Sequence, residues 1–225
     1  MNDLPTHHPS PRGTRPILLR VEQLSWNRPD GTRLFDRLSL DIGAGLSFVR
    51  GGEERGKTAL LRLLAGALPA DAGTLSWHPA ATQPHQAGDA AVFLFEGDEA
   101  GAQAGSTAVS TWLEQQSRRH AGWNRALLDE LLQGFGLVEH LDKTLHMLST
   151  GSRRKVALAA AFACGARLTL LEKPFAALDA RSRGLLAELL QEAAGDDRRA
   201  WVLADYELPA ALAGVELAAT LDLGD

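Results

Sequence analysis

A glycine-rich segment that ends in lysine and threonine is the strongest chemical signal in the sequence. It reads GGEERGKT and fits the spacing G-x-x-x-x-G-K-[ST]. In such a loop, glycines let backbone N–H groups curl around phosphate oxygens, and the N-terminus of the following helix adds positive potential. The lysine reaches the β- and γ-phosphates, and the threonine hydroxyl binds Mg²⁺. The alternative is a chance match in a glycine-rich turn. The predicted nucleotide-binding residues are Gly51, Gly52, Glu53, Glu54, Arg55, Gly56, Lys57 and Thr58.

The interior of this loop carries two carboxylates that oppose its predicted chemistry. Glu53 and Glu54 face a site suited to polyphosphate, and like charges about 4 Å apart cost on the order of 1 to 4 kcal/mol, depending on the dielectric. Arg55 offsets one of these charges. A side chain at Glu54 also strains the turn if the backbone there needs a positive φ. The sequence therefore leaves nucleotide binding open.

Two later segments also carry residues suited to phosphate chemistry. The first, LSTGS, is followed by RRKVALA, and a serine hydroxyl and a glycine amide at a helix N-terminus suit phosphate contact. The alternative is a simple helix cap, which Ser152 alone would satisfy. The second segment, LTLLEKPFAALD, is an apolar strand that ends in Glu172, Lys173 and Pro174.

Together these segments resemble the ATP-binding subunit of ABC transporters. Residues 46–77 (LSFVRGGEERGKTALLRLLAGALPADAGTLSW) look most like the haem-exporter subunit of cytochrome c maturation. The resemblance extends from about Ile17 to Glu207. It implies an α/β P-loop NTPase fold of the ABC type, with an N-terminal antiparallel β-subdomain and a helical subdomain over about 101–150. The implied signature residues are Leu148, Ser149, Thr150, Gly151 and Ser152.

The resemblance also implies roles that several residues here are poorly suited to fill. Glu172 aligns with the Asp that orients Mg²⁺. Lys173 replaces the catalytic Glu, and an ammonium group has no acceptor for the proton of the attacking water. Tyr206 aligns with the switch His that contacts the γ-phosphate. Leu178 and Asp179 match the D-loop.

The resemblance implies further site positions upstream of the signature. The glutamine that usually follows the strand at Ala91–Phe95 is missing, and Asp98 is the best match for it. The aromatic residue that stacks on adenine aligns near Arg28, which can stack through its guanidinium group. Trp26, two residues earlier, is the alternative stacking residue, and packing on the sheet is the other interpretation of this tryptophan.

The hydrophobic pattern supplies the elements that must position these residues. Alternating apolar residues predict strands at Ile17–Leu24 and Leu34–Ile42, and short apolar runs predict strands at 46–50, 74–77, 90–95, 168–171 and 200–204. Helical spacing predicts helices at 57–68, 107–119, 126–135, 152–164 and 181–194. Strands that alternate with helices after the first glycine loop predict a mainly parallel sheet covered on both faces.

Composition and charge limit the classes of protein that fit. The 225 residues are 45% hydrophobic and 23% charged, which is ordinary for a globular chain. A net charge of −5 gives no reason to expect a nucleic-acid partner. No apolar run reaches the roughly 20 residues of a membrane helix. The single cysteine, Cys164, fits a reducing compartment. Residues 1–16 are rich in Pro, His, Ser and Thr, and predict a disordered leader before a domain over 17–225.

Three functions are compatible with these features. The first is the ATP-binding subunit of an ABC transporter, with ATP and Mg²⁺ as cofactors and hydrolysis weak or lost. The second is a pseudo-ATPase that supports an active subunit without binding ATP. The third, a soluble ABC protein of translation or DNA repair, usually has tandem cassettes or a long coiled coil, and this chain has neither. The resemblance implies a membrane-spanning permease and a second ATPase subunit as partners, at the cytoplasmic face of the membrane. Trp112 and Trp123 are candidate permease contacts or core residues.

Overall fold

The protein is built on two sheets whose order places the glycine-rich loop beside the later motifs. The structure is a computed structural model that describes residues 6–9, 15–78, 91–97 and 105–224. A three-stranded antiparallel sheet has the order β3-β2-β5, and a six-stranded sheet has the order β1-β9-β4-β8-β7-β6. In the larger sheet β4, β6, β7, β8 and β9 run parallel, and β1 is antiparallel to β9. The nine strands are β1 (Thr6–Pro9), β2 (Ile17–Asn27), β3 (Arg33–Gly43), β4 (Gly45–Arg50), β5 (Ala72–Trp77), β6 (Val92–Phe95), β7 (Leu168–Glu172), β8 (Ala200–Asp205) and β9 (Ala219–Asp222).

Five α-helices and three short 3-10 turns cover the larger sheet in the described part of the chain. The α-helices are α1 (Lys57–Leu64), α2 (Val109–Arg119), α3 (Arg125–Gly134), α4 (Thr150–Ala163) and α5 (Ala180–Ala194). The 3-10 turns are Val138–His140, Leu145–Met147 and Ala210–Leu212. None of the helices among the described residues has the length and apolar character needed to cross a membrane.

Alternation along the parallel strands divides the core into two clusters. On β8, Trp201 and Leu203 pack with the helical cluster that contains α4 and α5. Val202 and Ala204 face the opposite side, toward α1 and the antiparallel sheet. Successive side chains of a strand point to opposite faces, so a strand covered on both sides is apolar throughout. The predicted mainly parallel sheet with an antiparallel β-subdomain is confirmed.

The predicted disordered leader is wrong for part of residues 1–16. Thr6–Pro9 forms a strand paired with β9 in the register Thr6 to Asp222. The Arg15 guanidinium also donates a hydrogen bond to the Ala194 carbonyl at 2.6 Å. This strand pairs through backbone groups along the edge of the sheet formed by β9. Such pairing needs no apolar pattern in the added strand, so the sequence did not predict it.

Several predicted helix bounds differ from the structure by one to four residues, and two of these differences have a clear local cause. Helix α1 ends at Leu64 rather than at Leu68, because Gly66 adopts φ 70° and turns the chain out of the helix. Helix α4 begins at Thr150, two residues before the predicted Ser152, because the Ser149 side chain accepts a hydrogen bond from the Ser152 amide and caps the helix there. The extent of the helical subdomain, about 101–150, stays a prediction.

Candidate functional site

The order of the strands brings three segments that are distant in the sequence together at the carboxyl ends of the strands of the larger sheet. Strand β8 lies between β4 and β7, with Arg50 opposite Asp205 and Glu172 opposite Ala204. Because the three strands are parallel, the residues that follow them meet at their common carboxyl end. The glycine-rich loop follows β4, Lys173 follows β7, and Tyr206 follows β8.

The glycine-rich loop folds around the amine of Lys57. Gly56 has φ 97° and stands at the N-cap of α1. Only 5% of Lys57 is exposed, and its Nζ donates to the carbonyls of Gly51 at 2.5 Å and Gly52 at 2.6 Å. Burial lowers the pKa of Lys57, and the neighbouring ammonium of Lys173 lowers it further. The amine is therefore held at the centre of the loop, where a phosphate can reach it.

Glu54 adopts the strained backbone conformation that the sequence analysis considered. Its φ is 57°, in the left-handed region where a side chain costs roughly 1 to 2 kcal/mol. The Arg28 guanidinium donates a hydrogen bond to the Glu54 carbonyl, which helps to hold the turn. The loop therefore keeps its curved shape with a glutamate at this strained position.

The Thr58 hydroxyl and the Glu172 carboxylate meet where the resemblance places Mg²⁺. Thr58 Oγ1 donates a hydrogen bond to Glu172 Oε1, across the gap between α1 and the end of β7. Hydroxyl and carboxylate oxygens are the hard ligands that Mg²⁺ prefers. The additional methylene of Glu172 does not prevent the two groups from meeting, so the residues present fit a nucleotide-bound Mg²⁺.

Lys173, Tyr206 and Glu53 form a hydrogen-bonded chain at the outer side of the loop. Lys173 Nζ donates to the Tyr206 hydroxyl at 2.8 Å, and that hydroxyl donates to Glu53 Oε1 at 3.2 Å. The backbone N–H of Lys173 donates to the Ala204 carbonyl at 2.8 Å, which fixes Lys173 beside β8. The hydrogen bond with Tyr206 raises the pKa of Lys173, so this side chain is an ammonium group at neutral pH.

These residues line one open cavity of about 630 Å³. That volume lies within the usual range of small-molecule and cofactor sites. Trp26 and Arg28 stand in its wall, and Trp26 also packs against the core cluster beside α1. Both alternatives for Trp26, stacking and packing, are therefore compatible with its position. The wall includes Glu53 to Ala59 of the loop and α1, together with Glu172, Lys173 and Tyr206.

The signature residues lie at the start of α4 and do not line this cavity. Ser149 Oγ lies 3.0 Å from Ser152 Oγ, and Thr150 Oγ1 accepts a hydrogen bond from Arg153 at 3.3 Å. Arg153 also donates to the Leu148 carbonyl at 2.8 Å. A Cβ added to Gly151 would come within 2.6 Å of the Ala177 carbonyl oxygen. Glycine is therefore required for the close approach of this helix to the turn after β7.

The D-loop residues link α4 to α5. Leu178 is buried in the helical core cluster, and Asp179 caps α5 by accepting a hydrogen bond from the Ser182 amide at 2.8 Å. Lys155 of α4 lies 3.2 Å from the Asp179 carboxylate. These contacts, the Ser182 amide first, lower the pKa of Asp179 to about 2.

Arg154 is a site neighbour that sequence reasoning missed. It is buried on α4, its guanidinium donates to the Lys173 carbonyl at 2.5 Å, and it lies over the Phe95 ring. A charged residue inside an apolar helical run was the available signal, because buried arginine usually has a specific partner. Arg154 therefore connects the signature helix to the turn that carries Lys173.

Other predicted residues lie elsewhere. Asp98 falls outside the described residues. The nearby Glu96 pairs with Arg62 of α1. Trp112 is buried in the helical cluster, and Trp123 is partly buried against it. Trp112 is therefore a core residue and does not present a surface for a permease in this structure.

The comparison that decides the family covers most of the motifs described above. The sequence profile of the ABC transporter family matches residues 35–176, from β3 to the turn after β7. The chain belongs to the ABC transporter family.

Curated relatives in the ABC family agree with this assignment. The chain is 37% identical over 158 residues to the cytochrome c biogenesis ATP-binding export protein CcmA of Pseudomonas putida strain GB-1, which covers 67% of this chain and 71% of the relative. It is 34% identical over 179 residues to the protein of the same name from Yersinia pestis, with 79% and 81% covered. The predicted resemblance to an ABC transporter ATP-binding subunit is confirmed.

Solved ABC structures share the fold at low sequence identity. An ATP-binding subunit of an ABC transporter superimposes with a TM-score of 0.72 at 19% identity, over 86% of this chain and 81% of that one. The protein cbiO1 of Clostridium perfringens, part of the ABC transporter complex cbiONQ, gives a TM-score of 0.64 at 20% identity, over 85% and 79%. The predicted ABC fold class is confirmed.

Proposed function

We propose that this chain is the nucleotide-binding subunit of an ABC-type membrane transporter whose own site hydrolyses ATP weakly or not at all. The main observation in support is the Lys173 ammonium group, which directly follows β7 and donates a hydrogen bond to the Tyr206 hydroxyl at 2.8 Å. A general base must accept a proton from water, and an ammonium group has no lone pair to do so. The raised pKa of Lys173 keeps it charged in the neutral pH range.

The phosphate-binding half of the site supports nucleotide binding without rapid hydrolysis. The loop, the buried Lys57 and the Thr58–Glu172 pair are all present around one cavity. Bound Mg²⁺ would neutralise charge on the β- and γ-phosphates. Lys57 would contact the phosphates, and Thr58 and Glu172 would hold the ion. The group that must activate water is the part of the machinery that has changed.

The signature segment keeps more of the family's residue types than the loop side of the site does. This difference suggests that the segment acts in the nucleotide site of a partner subunit. In the ABC arrangement each nucleotide lies between the loop of one subunit and the signature of the other. Ser149 and Gly151 of this chain retain the residue types of that motif, and Ser149 caps α4. We therefore propose that this chain forms a dimer with a different, catalytically competent ATPase subunit. The dimer would dock on a permease at the cytoplasmic face of the membrane. The names of the curated relatives support export in cytochrome c biogenesis as its process.

Two measurements on the purified full chain test this function. Calorimetry with ATP, with and without Mg²⁺, is expected to give binding with a larger affinity when Mg²⁺ is present. A phosphate-release assay is expected to give turnover far below the usual enzyme range of about 1 to 10³ per second. Turnover within that range by the isolated chain would show that Lys173 does not limit hydrolysis.

One observation favours a second function, that of a structural partner without bound ATP. The amine of Lys57 is already hydrogen-bonded to two carbonyls of its own loop, and Glu53 and Glu54 add negative charge there. Calorimetry separates the two functions, because a pseudo-ATPase would show no heat of binding at millimolar ATP. A partner subunit would still gain activity from its signature.

A further inference from the structure

Tyr206 lies between two ammonium groups at the mouth of the phosphate loop. The centre of its ring is 4.4 Å from Lys57 Nζ and 4.3 Å from Lys173 Nζ. Its hydroxyl donates to the Glu53 carboxylate at 3.2 Å and accepts from Lys173 at 2.8 Å. The exposed fraction of Tyr206 is 38%, and Tyr206 lines the cavity. The chain Glu53–Tyr206–Lys173 therefore covers the outer side of Lys57.

A third phosphate would have to lie where the hydrogen-bonded side chains of Glu53, Tyr206 and Lys173 now lie. In a phosphate loop, the backbone N–H groups hold the α- and β-phosphates, and the lysine reaches from the β- to the γ-phosphate. Mg²⁺ bridges oxygens of the β- and γ-phosphates, so the Thr58–Glu172 pair marks the same end of the nucleotide. Tyr206 and Lys173 follow β8 and β7 at this end of the cavity. The side-chain carboxylate of Glu53 therefore lies near the position that a γ-phosphate would take.

We infer that this site distinguishes nucleotides by the number of their phosphates and binds a nucleoside diphosphate more tightly than the matching triphosphate. Glu53 and Tyr206 are the residues that determine this preference. The inference rests on the proposed function, because it requires that the chain binds a nucleotide. Beyond the proposed function, the inference specifies the length of the phosphate chain that the site prefers and the side chains that select it.

The contacts within the site explain the direction of the preference. A diphosphate contacts the loop amides and Lys57 and leaves the Glu53–Tyr206–Lys173 chain intact. A triphosphate must either displace Glu53 from Tyr206 or lie beside its negative charge. Glu172, Asp205 and Glu53 all lie near enough to interact electrostatically with Lys57. The Lys57 ammonium is therefore already opposed by three carboxylates before a γ-phosphate arrives.

Calorimetry of the full chain with ADP and with ATP tests this preference. The unaltered protein is expected to bind ADP about tenfold more tightly than ATP, both with and without Mg²⁺, as one like charge about 4 Å away in partly screened surroundings predicts. Glu53→Gln removes the charge and keeps the shape, so the two affinities are expected to become nearly equal. Tyr206→Phe keeps the ring but releases Glu53, and it is expected to reduce the preference in part.

The matched control is Glu188→Gln, which makes the same charge change on an exposed residue of α5 outside the cavity. It is expected to leave the ratio of the ADP and ATP affinities as in the unaltered protein. An equal reduction by Glu188→Gln would overturn the assignment to Glu53, since net charge alone would then be responsible. Equal affinities, or tighter ATP, in the unaltered protein would overturn the preference and leave nucleotide binding in place. Binding of neither nucleotide would overturn both this inference and nucleotide binding by the chain.

Discussion

At the scale of single residues, the decisive feature is the charge of the group beside the predicted water position. We propose that Lys173 places a positive charge where hydrolysis needs a proton acceptor. Tyr206 stabilises that charge by hydrogen bonding and by its ring. Glu172 still reaches Thr58, so the metal-binding part of the site is separable from the water-activating part. This separation makes a reversal of the substitutions informative.

The double variant Lys173→Glu with Glu172→Asp is expected to raise the rate of ATP hydrolysis by at least about tenfold. General-base catalysis contributes about 10² to 10⁴ in enzymes, and part of it remains lost because Tyr206 stays in place. Phosphate release under saturating ATP measures the effect. Lys143→Glu, the same charge change on an exposed lysine outside the cavity, is the control and should leave the rate unchanged. Unchanged hydrolysis in the double variant, with ATP bound, would show that Lys173 is not limiting.

At the scale of secondary-structure elements, the close approach of α4 to the turn after β7 depends on a glycine. Gly151→Ala would place a Cβ 2.6 Å from the Ala177 carbonyl oxygen, and such overpacking costs about 1 to 3 kcal/mol. Gly184 on α5 has open space around it, so Gly184→Ala is expected to stabilise the fold by about 0.5 to 1 kcal/mol. Urea unfolding of both variants measures the free energies, and stabilisation by Gly151→Ala would contradict the close packing.

The cap of α5 gives a prediction that depends on pH. The pKa of Asp179 is lowered from 3.8 to about 2, so the unfolded chain binds a proton more readily than the folded one. The stabilisation by this carboxylate is therefore complete above pH 3.8 and is lost as the pH falls toward about 2. Asp179→Ala is expected to lower the midpoint of thermal unfolding by a few degrees at neutral pH, with a difference that shrinks over this window.

Asp197→Ala is the control for this measurement, because Asp197 is 85% exposed in a loop. It should change neither the midpoint nor its dependence on pH. A difference between the Asp179→Ala and unaltered proteins that stays constant down to pH 2 would contradict the capping role.

At the scale of the whole molecule, we propose that the two halves of the ABC machinery have diverged to different extents. The loop side holds Lys173, Tyr206 and Glu53 in one cavity, whereas Ser149 and Gly151 keep their residue types at the start of α4. A chain with this asymmetry is suited to complete the site of a more active partner. Mixing two variants of the chain can imitate such a partner.

A copy with Glu172→Asp, Lys173→Glu and Ser149→Arg has a restored loop side and a blocked signature. Alone it is expected to hydrolyse ATP at the low rate of the unaltered chain. Addition of unaltered chain should raise the rate severalfold, because mixed dimers pair the restored loop with an intact signature. Addition of a Ser149→Arg single variant should give no increase. Equal rates in the two mixtures would contradict a contribution from the signature across the dimer.

The sequence alone was enough to predict most of the architecture. The spacing of the glycine loop, the order of the motifs and the alternation of strands and helices are local patterns, and local patterns are set by backbone geometry and hydrophobic periodicity. The lysine at the catalytic Glu position was predicted from the order of the motifs. The assignment of functional roles to the site residues stays a prediction.

Only the tertiary structure decided how the altered residues combine. Glu53, Lys173 and Tyr206 are far apart in the sequence, and their hydrogen-bonded chain exists because β8 lies between β4 and β7. The pairing of β1 with β9 and the positive φ of Glu54 were likewise decided by long-range contacts and by the closure of the loop. Strand order and register depend on the packing of the entire core, so no short stretch of sequence contains them.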